Sequence, residues 1–236
     1  MEAIILAGGL GTRLRSVINE VPKPMAPVAN RPFLDYIFYY LKNEGVKKVI
    51  LAVGYKWEMI RDRYEDKANT FGLEIEYSVE TEPLGTGGAI FKAAEKATDN
   101  GFFIINGDTS FEIKLAELKN FALEKNAGIA LALKEINGAN RYGSVKCTDQ
   151  GQVLSFIEKS DTHQDSSLIN GGVYFIQKKL IDQFTLPLKF SFETDFMQSK
   201  LSEINAYAKK FNAAFIDIGI PEDYYKAQEL FKNAIA

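Results

Sequence analysis

Short apolar runs alternate with helix-spaced apolar positions along the first half of the chain. Such runs are typical of buried parallel strands, and the helical spacing is typical of helices packed on a sheet. The predicted strands are Ala3–Ala7, Val46–Val53, Leu73–Val79, Phe102–Asn106 and Gly128–Leu133. The predicted helices are Phe33–Asn43, Trp57–Lys67, Ala89–Ala97 and Leu115–Lys125. Strands that alternate with helices form βαβ units, so the pattern predicts an α/β fold with a doubly wound, mostly parallel sheet.

The second half of the chain is less regular. Its predicted strands are Ser144–Lys146, Val153–Ile157, Gly172–Ile176 and Ala213–Ile218, and its predicted helices are Phe192–Ile204 and one that begins at Pro221. Residues 160–167 are the most polar stretch and are expected to form an exposed loop. Because no repeat or linker divides the sequence, we expect one domain over residues 1–236. A smaller substrate-binding part is then inserted in the second half.

The overall composition favours a protein that works on small molecules. The net charge is −3 and the basic residues are spread along the chain, which argues against nucleic-acid binding. No apolar run reaches the roughly 18 residues of a membrane span, and the N-terminus does not resemble a signal peptide. Cys147 is the only cysteine, so no intrachain disulfide can form. We therefore expect a cytoplasmic protein without membrane or nucleic-acid partners. The sequence leaves the oligomeric state open, and a homo-oligomer is possible.

A glycine-rich loop, Leu6–Leu14, follows the first predicted strand. Gly8, Gly9 and Gly11 let the backbone approach a ligand closely and expose N–H groups, which suits a phosphate chain, and Arg13 adds a cation. A glycine-rich turn is a weak signal by itself, because dinucleotide dehydrogenases use one too. It can also be a tight turn that only packs a helix on a strand.

Lys23 sharpens this interpretation. It lies ten residues after Arg13, between Pro22 and Pro24, and the two prolines predict a stiff, non-helical segment. Arg13 and Lys23 could then converge on one polyphosphate. The P-loop pattern is absent, because no lysine follows the glycines in the required register.

Residues 8–14 together with residues 22–24 resemble the signature of the sugar-phosphate nucleotidyltransferases. Further segments match that family in the same order, namely residues 85–89, 106–108, 158–159 with 170–172, and 217–221. Within the family, residues 141–143, 190–193 and 217–225 resemble the branch that makes GDP-activated heptose from D-glycero-D-manno-heptose 1-phosphate. The resemblance implies a Rossmann-like fold. Residues 1–135 would then mainly bind the nucleotide and residues 136–236 mainly the sugar.

Two aspartates are candidates for a metal site. Asp108 and Asp217 each follow an apolar run, so both are expected at strand ends, where α/β folds bind ligands. Each alone could simply cap a turn. The resemblance assigns both to one Mg²⁺, a cation that prefers a few carboxylates together with water and phosphate oxygens. No CxxC pair is present and His163 is the only histidine, which argues against structural zinc.

The resemblance also implies the reaction and the residues that take part in it. A sugar 1-phosphate attacks the α-phosphorus of a nucleoside triphosphate and pyrophosphate leaves, with Arg13, Lys23 and Asp108 as catalytic residues. The implied nucleotide-binding residues are Leu6, Ala7, Gly8, Gly9, Gly11, Thr12, Arg13, Lys23, Glu80, Gly85 and Thr86. The implied sugar-binding residues are Asp108, Gly143, Glu158, Lys159, Asn170 and Gly171. Without the resemblance, Glu158-Lys159 is an ordinary solvated pair.

The resemblance makes Glu80 the candidate reader of the base, because Glu80 falls where relatives place a side chain that reads the base edge. A carboxylate can accept hydrogen bonds from guanine N1–H and N2–H₂ together, whereas uracil and thymine offer one N–H flanked by carbonyls. The sequence therefore favours GTP. Glu80 could instead be a rim glutamate that contacts nothing, since residues 80–82 are polar.

Three functions other than guanylyl transfer would also use a glycine-rich loop or a related fold. A dinucleotide-dependent oxidoreductase needs an acidic residue after its second strand, and residues 53–55 offer none. A non-catalytic nucleotide-sugar sensor would be expected to lack Arg13, Lys23 or an aspartate, and all are present. A uridylyl-, cytidylyl- or thymidylyltransferase for another sugar 1-phosphate remains the alternative.

Overall fold

The computed structural model describes residues 1–9, 11, 14, 17–18, 20–65, 68–136, 142–157 and 167–234. Its strands are β1 (Glu2–Leu6), β2 (Pro27–Val28), β3 (Arg31–Pro32), β4 (Lys48–Val53), β5 (Glu74–Val79), β6 (Gly101–Asn106), β7 (Thr109–Phe111), β8 (Ile129–Ile136), β9 (Ser144–Cys147), β10 (Val153–Ile157), β11 (Ser167–Gln177), β12 (Ala206–Lys210) and β13 (Phe215–Asp217). Its α-helices are α1 (Phe33–Asn43), α2 (Trp57–Tyr64), α3 (Ala68–Phe71), α4 (Gly85–Ala94), α5 (Leu115–Glu124), α6 (Lys178–Asp182) and α7 (Pro221–Leu230).

A nine-stranded sheet runs through the molecule and confirms the predicted α/β class. Strands β6, β1, β4 and β5 are parallel neighbours, with β1 between β6 and β4. On the other side of β6 the sheet continues through β11, which pairs antiparallel with both β6 and β8. The strands of the first and second halves of the chain thus belong to one mixed sheet. Its four-stranded parallel part lies in the first half, and β12 adds a parallel pairing with β8.

Apolar side chains cover both faces of this sheet. One core contains residues from α1, α5 and α7, such as Phe33, Leu118 and Ala227. The other contains residues from α4 and from the segment after α6, such as Ile90 and Phe196. Helices on both faces explain why the buried strands are apolar along almost their whole length. None of the helices in the described part of the chain has the length and hydropathy of a transmembrane span.

Several elements differ from the sequence-based expectation, and three of the differences bear on the site. Helix α4 begins at Gly85, four residues before the predicted start at Ala89, so it includes three glycines. Residues Phe192–Gln198 form a π-helix where a longer α-helix was predicted. Strand β13 pairs with β7 in a separate two-stranded sheet. Helix α4 and the π-helix both contribute residues to a cleft at the ends of the parallel strands.

Candidate active site

A cleft of ≈ 570 Å³ opens where the four parallel strands end. Leu6 ends β1, Gly54 and Tyr55 follow β4, Glu80 follows β5, and Asn106 ends β6. Because parallel strands end at the same edge of a sheet, loops that are far apart in sequence meet there. The lining residues are Leu6, Ala7, Gly8, Gly9, Lys23, Pro24, Gly54, Tyr55, Glu80, Thr81, Glu82, Pro83, Gly85, Thr86, Ala89, Asn106, Gly107, Asp108 and Glu193.

The start of the glycine-rich loop forms one wall of this cleft. A Cβ at Gly8 would lie 2.5 Å from Glu80 Oε1 and 3.2 Å from the Gly54 nitrogen, so a side chain there would displace the Glu80 carboxylate. A Cβ at Gly9 would meet no atom within 4 Å, so this stretch of backbone is open to a ligand. The predicted residues Leu6, Ala7, Gly8, Gly9, Lys23, Glu80, Gly85 and Thr86 all line the cleft. Thr12 and Arg13 lie outside the described residues.

Lys23 lies in a single turn of 3₁₀-helix, Lys23–Met25, so the prediction of a non-helical segment was wrong. Proline is compatible with the first turn of a helix, because no intrahelical hydrogen bond requires its missing N–H there. Pro24 is at such a position, and the Ala26 N–H donates to the Lys23 carbonyl. Gly11, with a φ of 58°, packs against the Lys23 side chain. A Cβ added at Gly11 would lie 3.2 Å from Lys23 Cβ. The glycine-rich loop and the Lys23–Met25 turn are thus packed against each other.

The two predicted metal carboxylates lie close together, because Asp217 ends β13 and Asp108 immediately precedes its partner strand β7. Thr109 in β7 pairs with Asp217 in β13, and the Ile218 N–H donates to the Asp108 carbonyl at 3.0 Å. Asp108 also forms an ion pair with Lys23 Nζ. A Cβ at Gly219 would be 2.7 Å from Asp217 Oδ1 and 3.1 Å from Lys23 Nζ. The lysine and both aspartates therefore converge at one point of the cleft.

These carboxylates suit a hard cation. Their oxygens are the ligand type that Mg²⁺ prefers, and the Lys23 ammonium already makes an ionic contact with Asp108. Among the residues that the structure describes, no group of three or more His, Cys, Asp or Glu side chains is arranged to hold a metal. A cation bound at the aspartate pair would thus complete its shell with water or ligand phosphate oxygens.

Glu80 lines the cleft, half-buried beside the glycine-rich loop. Its Oε2 accepts a hydrogen bond from the Leu84 N–H at 3.0 Å, and its backbone N–H donates to the Val53 carbonyl at 2.7 Å. Burial raises the pKa of this carboxyl, although the Leu84 hydrogen bond and the charge of Lys92 oppose the shift. The contact with Leu84 fixes the carboxylate where it can accept from a ligand.

Several predicted sugar residues also lie together. The Asn170 N–H donates to the Gly143 carbonyl at 3.2 Å, and Asn170 Nδ2 donates to the Tyr174 hydroxyl at 2.5 Å. The pairing of β11 with β8 is irregular between Asn170 and Tyr174, the stretch that contains Gly171 and Gly172. A Cβ at Gly172 would lie 2.6 Å from the side chain of Asn106, which places this bulge at the edge of the cleft. Glu158 and Lys159 lie outside the described residues.

Glu193 is the main lining residue that was not predicted. It accepts a hydrogen bond from Thr86 Oγ1 at 2.7 Å, across 107 positions of sequence. From the sequence, residues 190–193 show only a resemblance to one branch of the family, and no role in the site is assigned to them. No local pattern could have revealed the contact, because it depends on how the π-helix packs against α4.

Comparisons with known proteins give matches over nearly the whole chain. Residues 2–234 match the family model described as nucleotidyl transferase. The chain is 49% identical over 225 residues to a D-glycero-alpha-D-manno-heptose 1-phosphate guanylyltransferase of Campylobacter jejuni, covering 95% of this chain and 97% of that protein. It is 47% identical to the enzyme of the same name from Aneurinibacillus thermoaerophilus, over the whole of both chains. A crystal structure of HddC from Yersinia pseudotuberculosis complexed with GMP-PN superposes with a TM-score of 0.86 at 39% identity, over 98% of this chain and 99% of that one.

Proposed function

The chain belongs to the nucleotidyl transferase family, and we propose that it transfers GMP from GTP to D-glycero-α-D-manno-heptose 1-phosphate, releasing pyrophosphate. The observation that carries the proposal is the arrangement of charged groups in the cleft. A lysine and two carboxylates lie at one point, and an acceptor carboxylate, Glu80, lies beside the glycine-rich loop. The names of the two full-length relatives support guanine as the base and heptose as the sugar.

The proposed reaction is a single in-line displacement. A phosphate oxygen of the sugar 1-phosphate attacks the α-phosphorus of GTP, and the bond from that phosphorus to the bridging oxygen of the β-phosphate breaks. This chemistry needs positioning and charge neutralisation more than a covalent intermediate. The exposed backbone at Gly8 and Gly9, together with Arg13, would hold the β- and γ-phosphates, and Lys23 would neutralise charge at the α-phosphate. The attacking phosphate is already ionised, so no general base is needed.

We further propose that Asp108 and Asp217 hold Mg²⁺. Two carboxylates on adjacent strands, with room for phosphate oxygens, fit the ligand preference of this ion. When bound, the ion would neutralise phosphate charge and thereby make the α-phosphorus a better electrophile. Lys23, which contacts Asp108 in the free protein, would then be released toward the phosphates.

For the acceptor sugar, we propose contacts from the group around Asn170. Asn170, Gly143 and Gly171 would border the sugar ring, Glu158 would accept from its hydroxyls, and Lys159 would pair with its phosphate. Residues 1–135 would thus mainly bind the nucleotide, and residues 136–236 would mainly bind the sugar and supply the second metal carboxylate. We also propose a cytoplasmic location, where GTP is available, and a product that serves as donor for capsule or cell-surface polysaccharide.

Pyrophosphate release over a grid of nucleoside triphosphates and sugar 1-phosphates tests the function. GTP with D-glycero-α-D-manno-heptose 1-phosphate is expected to give the highest kcat/KM. Mannose 1-phosphate is the informative comparison because it lacks the seventh carbon. Faster turnover with UTP, CTP or dTTP, or with a different sugar phosphate, would contradict the proposal.

A further inference from the structure

Glu193 is a carboxylate in the cleft that has no part in the reaction as proposed above. Its Oε2 accepts from Thr86 Oγ1 at 2.7 Å and from Ser191 Oγ at 3.2 Å. None of the described residues donates a hydrogen bond to Oε1. An ionised carboxylate can accept about four hydrogen bonds, so the side chain retains acceptor capacity for a ligand.

The two hydroxyls that contact Glu193 are themselves held in place. Thr86 Oγ1 accepts from the Phe192 N–H at 2.8 Å, and Ser191 Oγ accepts from the Thr194 N–H at 3.2 Å. A hydroxyl has only one proton, so in each case the proton is directed to Glu193. The carboxylate is therefore oriented before any ligand binds, which lowers the entropic cost of recognition.

The backbone on both sides is shaped to bring Glu193 into the cleft. A Cβ at Gly85 would lie 2.5 Å from the Phe190 carbonyl oxygen, and a Cβ at Gly88 would lie 2.1 Å from the Leu188 carbonyl oxygen. Glycine destabilises a helix, so these glycines at the start of α4 cost some helix stability. In return they let the backbone of residues 188–190 approach the helix closely. Glu193 itself lies in the π-helix, a rare conformation that is frequent at functional sites.

The position of Glu193 indicates which substrate it would meet. Phe192, the residue before Glu193, packs edge-on against Tyr174 with 5.4 Å between the ring centroids, and the Tyr174 hydroxyl accepts from Asn170 Nδ2. In keeping with this proximity, burial raises the pKa of Tyr174 and the negative charge of Glu193 adds to the effect. Glu193 thus lies on the side of the cleft that contains the proposed sugar contacts. Glu80, in contrast, lies beside Gly8, on the side of the proposed nucleotide contacts. Sugar hydroxyls are the donors that a carboxylate on this side would accept from.

We propose that Glu193 accepts a hydrogen bond from a hydroxyl of the acceptor sugar and thereby helps to determine which sugar 1-phosphate the enzyme uses. Thr86, which the resemblance assigns to the nucleotide, and Ser191 are then positioning residues, which act by orienting the carboxylate. The inference rests on the proposed function, since it assumes a sugar 1-phosphate as acceptor, and it adds a residue to the recognition of that substrate.

The test compares the wild-type enzyme with Glu193→Ala and with Glu193→Gln, which keeps the size of the side chain. Loss of a charged hydrogen bond predicts that KM for the heptose 1-phosphate rises roughly ten- to a hundredfold in Glu193→Ala, and less in Glu193→Gln. The KM for GTP should change by less than about twofold, because the contact concerns one substrate only. Gln198→Ala is the control, since Gln198 is exposed at the other end of the same π-helix and does not line the cleft.

Monodeoxy analogues of the heptose 1-phosphate identify the hydroxyl. The analogue that lacks it should be a poor substrate for the wild-type enzyme and should lose nothing further in Glu193→Ala. The inference is overturned, while the proposed function stands, if both variants keep the wild-type KM for the heptose 1-phosphate. The same holds if the KM for GTP rises as much as the KM for the heptose 1-phosphate. If the wild-type enzyme converts no sugar 1-phosphate, the proposed function fails and the inference fails with it. Circular dichroism melts establish that each variant is folded.

Discussion

At the scale of single residues, Asp108 and Asp217 have the clearest expected effect on activity. Asp108→Asn or Asp217→Asn keeps the shape of the side chain but removes half of the negative charge of the proposed Mg²⁺ site. We expect turnover to fall roughly a hundredfold or more, because a metal supplies several kcal/mol of charge stabilisation in such reactions. Initial rates over a magnesium titration, together with melting temperatures, measure the effect.

Asp149→Asn is the control for these two variants, because Asp149 lies in an exposed turn and does not line the cleft. It should retain wild-type turnover and the wild-type magnesium requirement. Full activity of the wild-type enzyme in excess chelator, or of either cleft variant at ordinary magnesium concentrations, would rule out the proposed site.

Glu80 should determine the choice of base. A charged hydrogen bond is worth roughly 1.5–3 kcal/mol, so the wild-type enzyme is expected to prefer GTP over UTP and dTTP by at least about tenfold in kcat/KM. Glu80→Gln should narrow that preference, because its amide replaces one acceptor with a donor that faces guanine's own donors. Competition assays with paired nucleotides give the ratio directly. An unchanged ratio in Glu80→Gln would mean that another group reads the base.

The raised pKa of Glu80 adds a pH dependence. Because burial favours the neutral acid, protonation of Glu80 begins at a higher pH than for an exposed glutamate. The neutral acid loses one acceptor, so the preference for GTP should decline as the pH falls through this pKa. Glu80→Gln cannot titrate, and its base preference should stay constant over the same range.

Many of the cleft residues could be predicted from the sequence because they lie where strands end. Leu6 lies at the end of one recognisable apolar run, and Glu80 and Asp108 come within two residues of the end of another, so their common edge followed from the parallel sheet. Glu193 could not be found in this way. Its partner Thr86 lies 107 positions away, and their contact results from tertiary packing of two helical segments.

At the scale of elements, the junction of α4 with the segment before the π-helix depends on Gly87. A Cβ at this position would lie 2.1 Å from the Phe190 ring, which is buried and packs edge-on against Phe91. In an open helix, Gly→Ala would stabilise by about 0.5–1 kcal/mol. Overpacking typically costs about 1–3 kcal/mol, so Gly87→Ala should lower the free energy of unfolding overall. Urea titration measures the change.

The same substitution should also weaken binding of the sugar phosphate, because a displaced Phe190 moves the residues that lead to Glu193. Glu95→Ala, at the exposed end of α4, is the control for helix propensity and should change neither quantity by much. A Gly87→Ala enzyme more stable than the wild type would show that the ring can move aside at little cost.

The boundaries of the elements were predictable where a clear stop signal exists. Helix α1 spans Phe33–Asn43 as predicted, with Pro32 before it and Gly45, at a φ of 81°, just after it. Strand β12 was missed because its inward residues are the small Ala206 and Ala208 and it ends in lysines. Helix α4 was placed too late because its first turn is glycine-rich, and glycine normally argues against a helix.

At the scale of the whole molecule, the pairing of β6 with β11 links the two halves of the chain. A fragment of residues 1–135 would leave the inner strand β6 with a bare edge and expose Ile104, which packs in one core with Tyr174 and Phe192. Exposed edges and apolar surface favour aggregation, so this fragment should lack a cooperative melt. Size-exclusion chromatography and thermal melts test this, with the full chain as control. A soluble fragment that melts cooperatively would show that the first half folds alone.

The place of β1 in the sheet has a consequence for the growing chain on the ribosome. This strand is the first to be synthesised, yet it needs a neighbour on each edge, β4 on one side and β6 on the other. The second edge stays open until Asn106 has left the exit tunnel, and β6 in turn waits for β11, which ends at Gln177. Unpaired apolar strands recruit other chains. The nascent protein therefore carries an unpaired, aggregation-prone strand while the rest of the sheet is synthesised, and slow translation would lengthen that exposure.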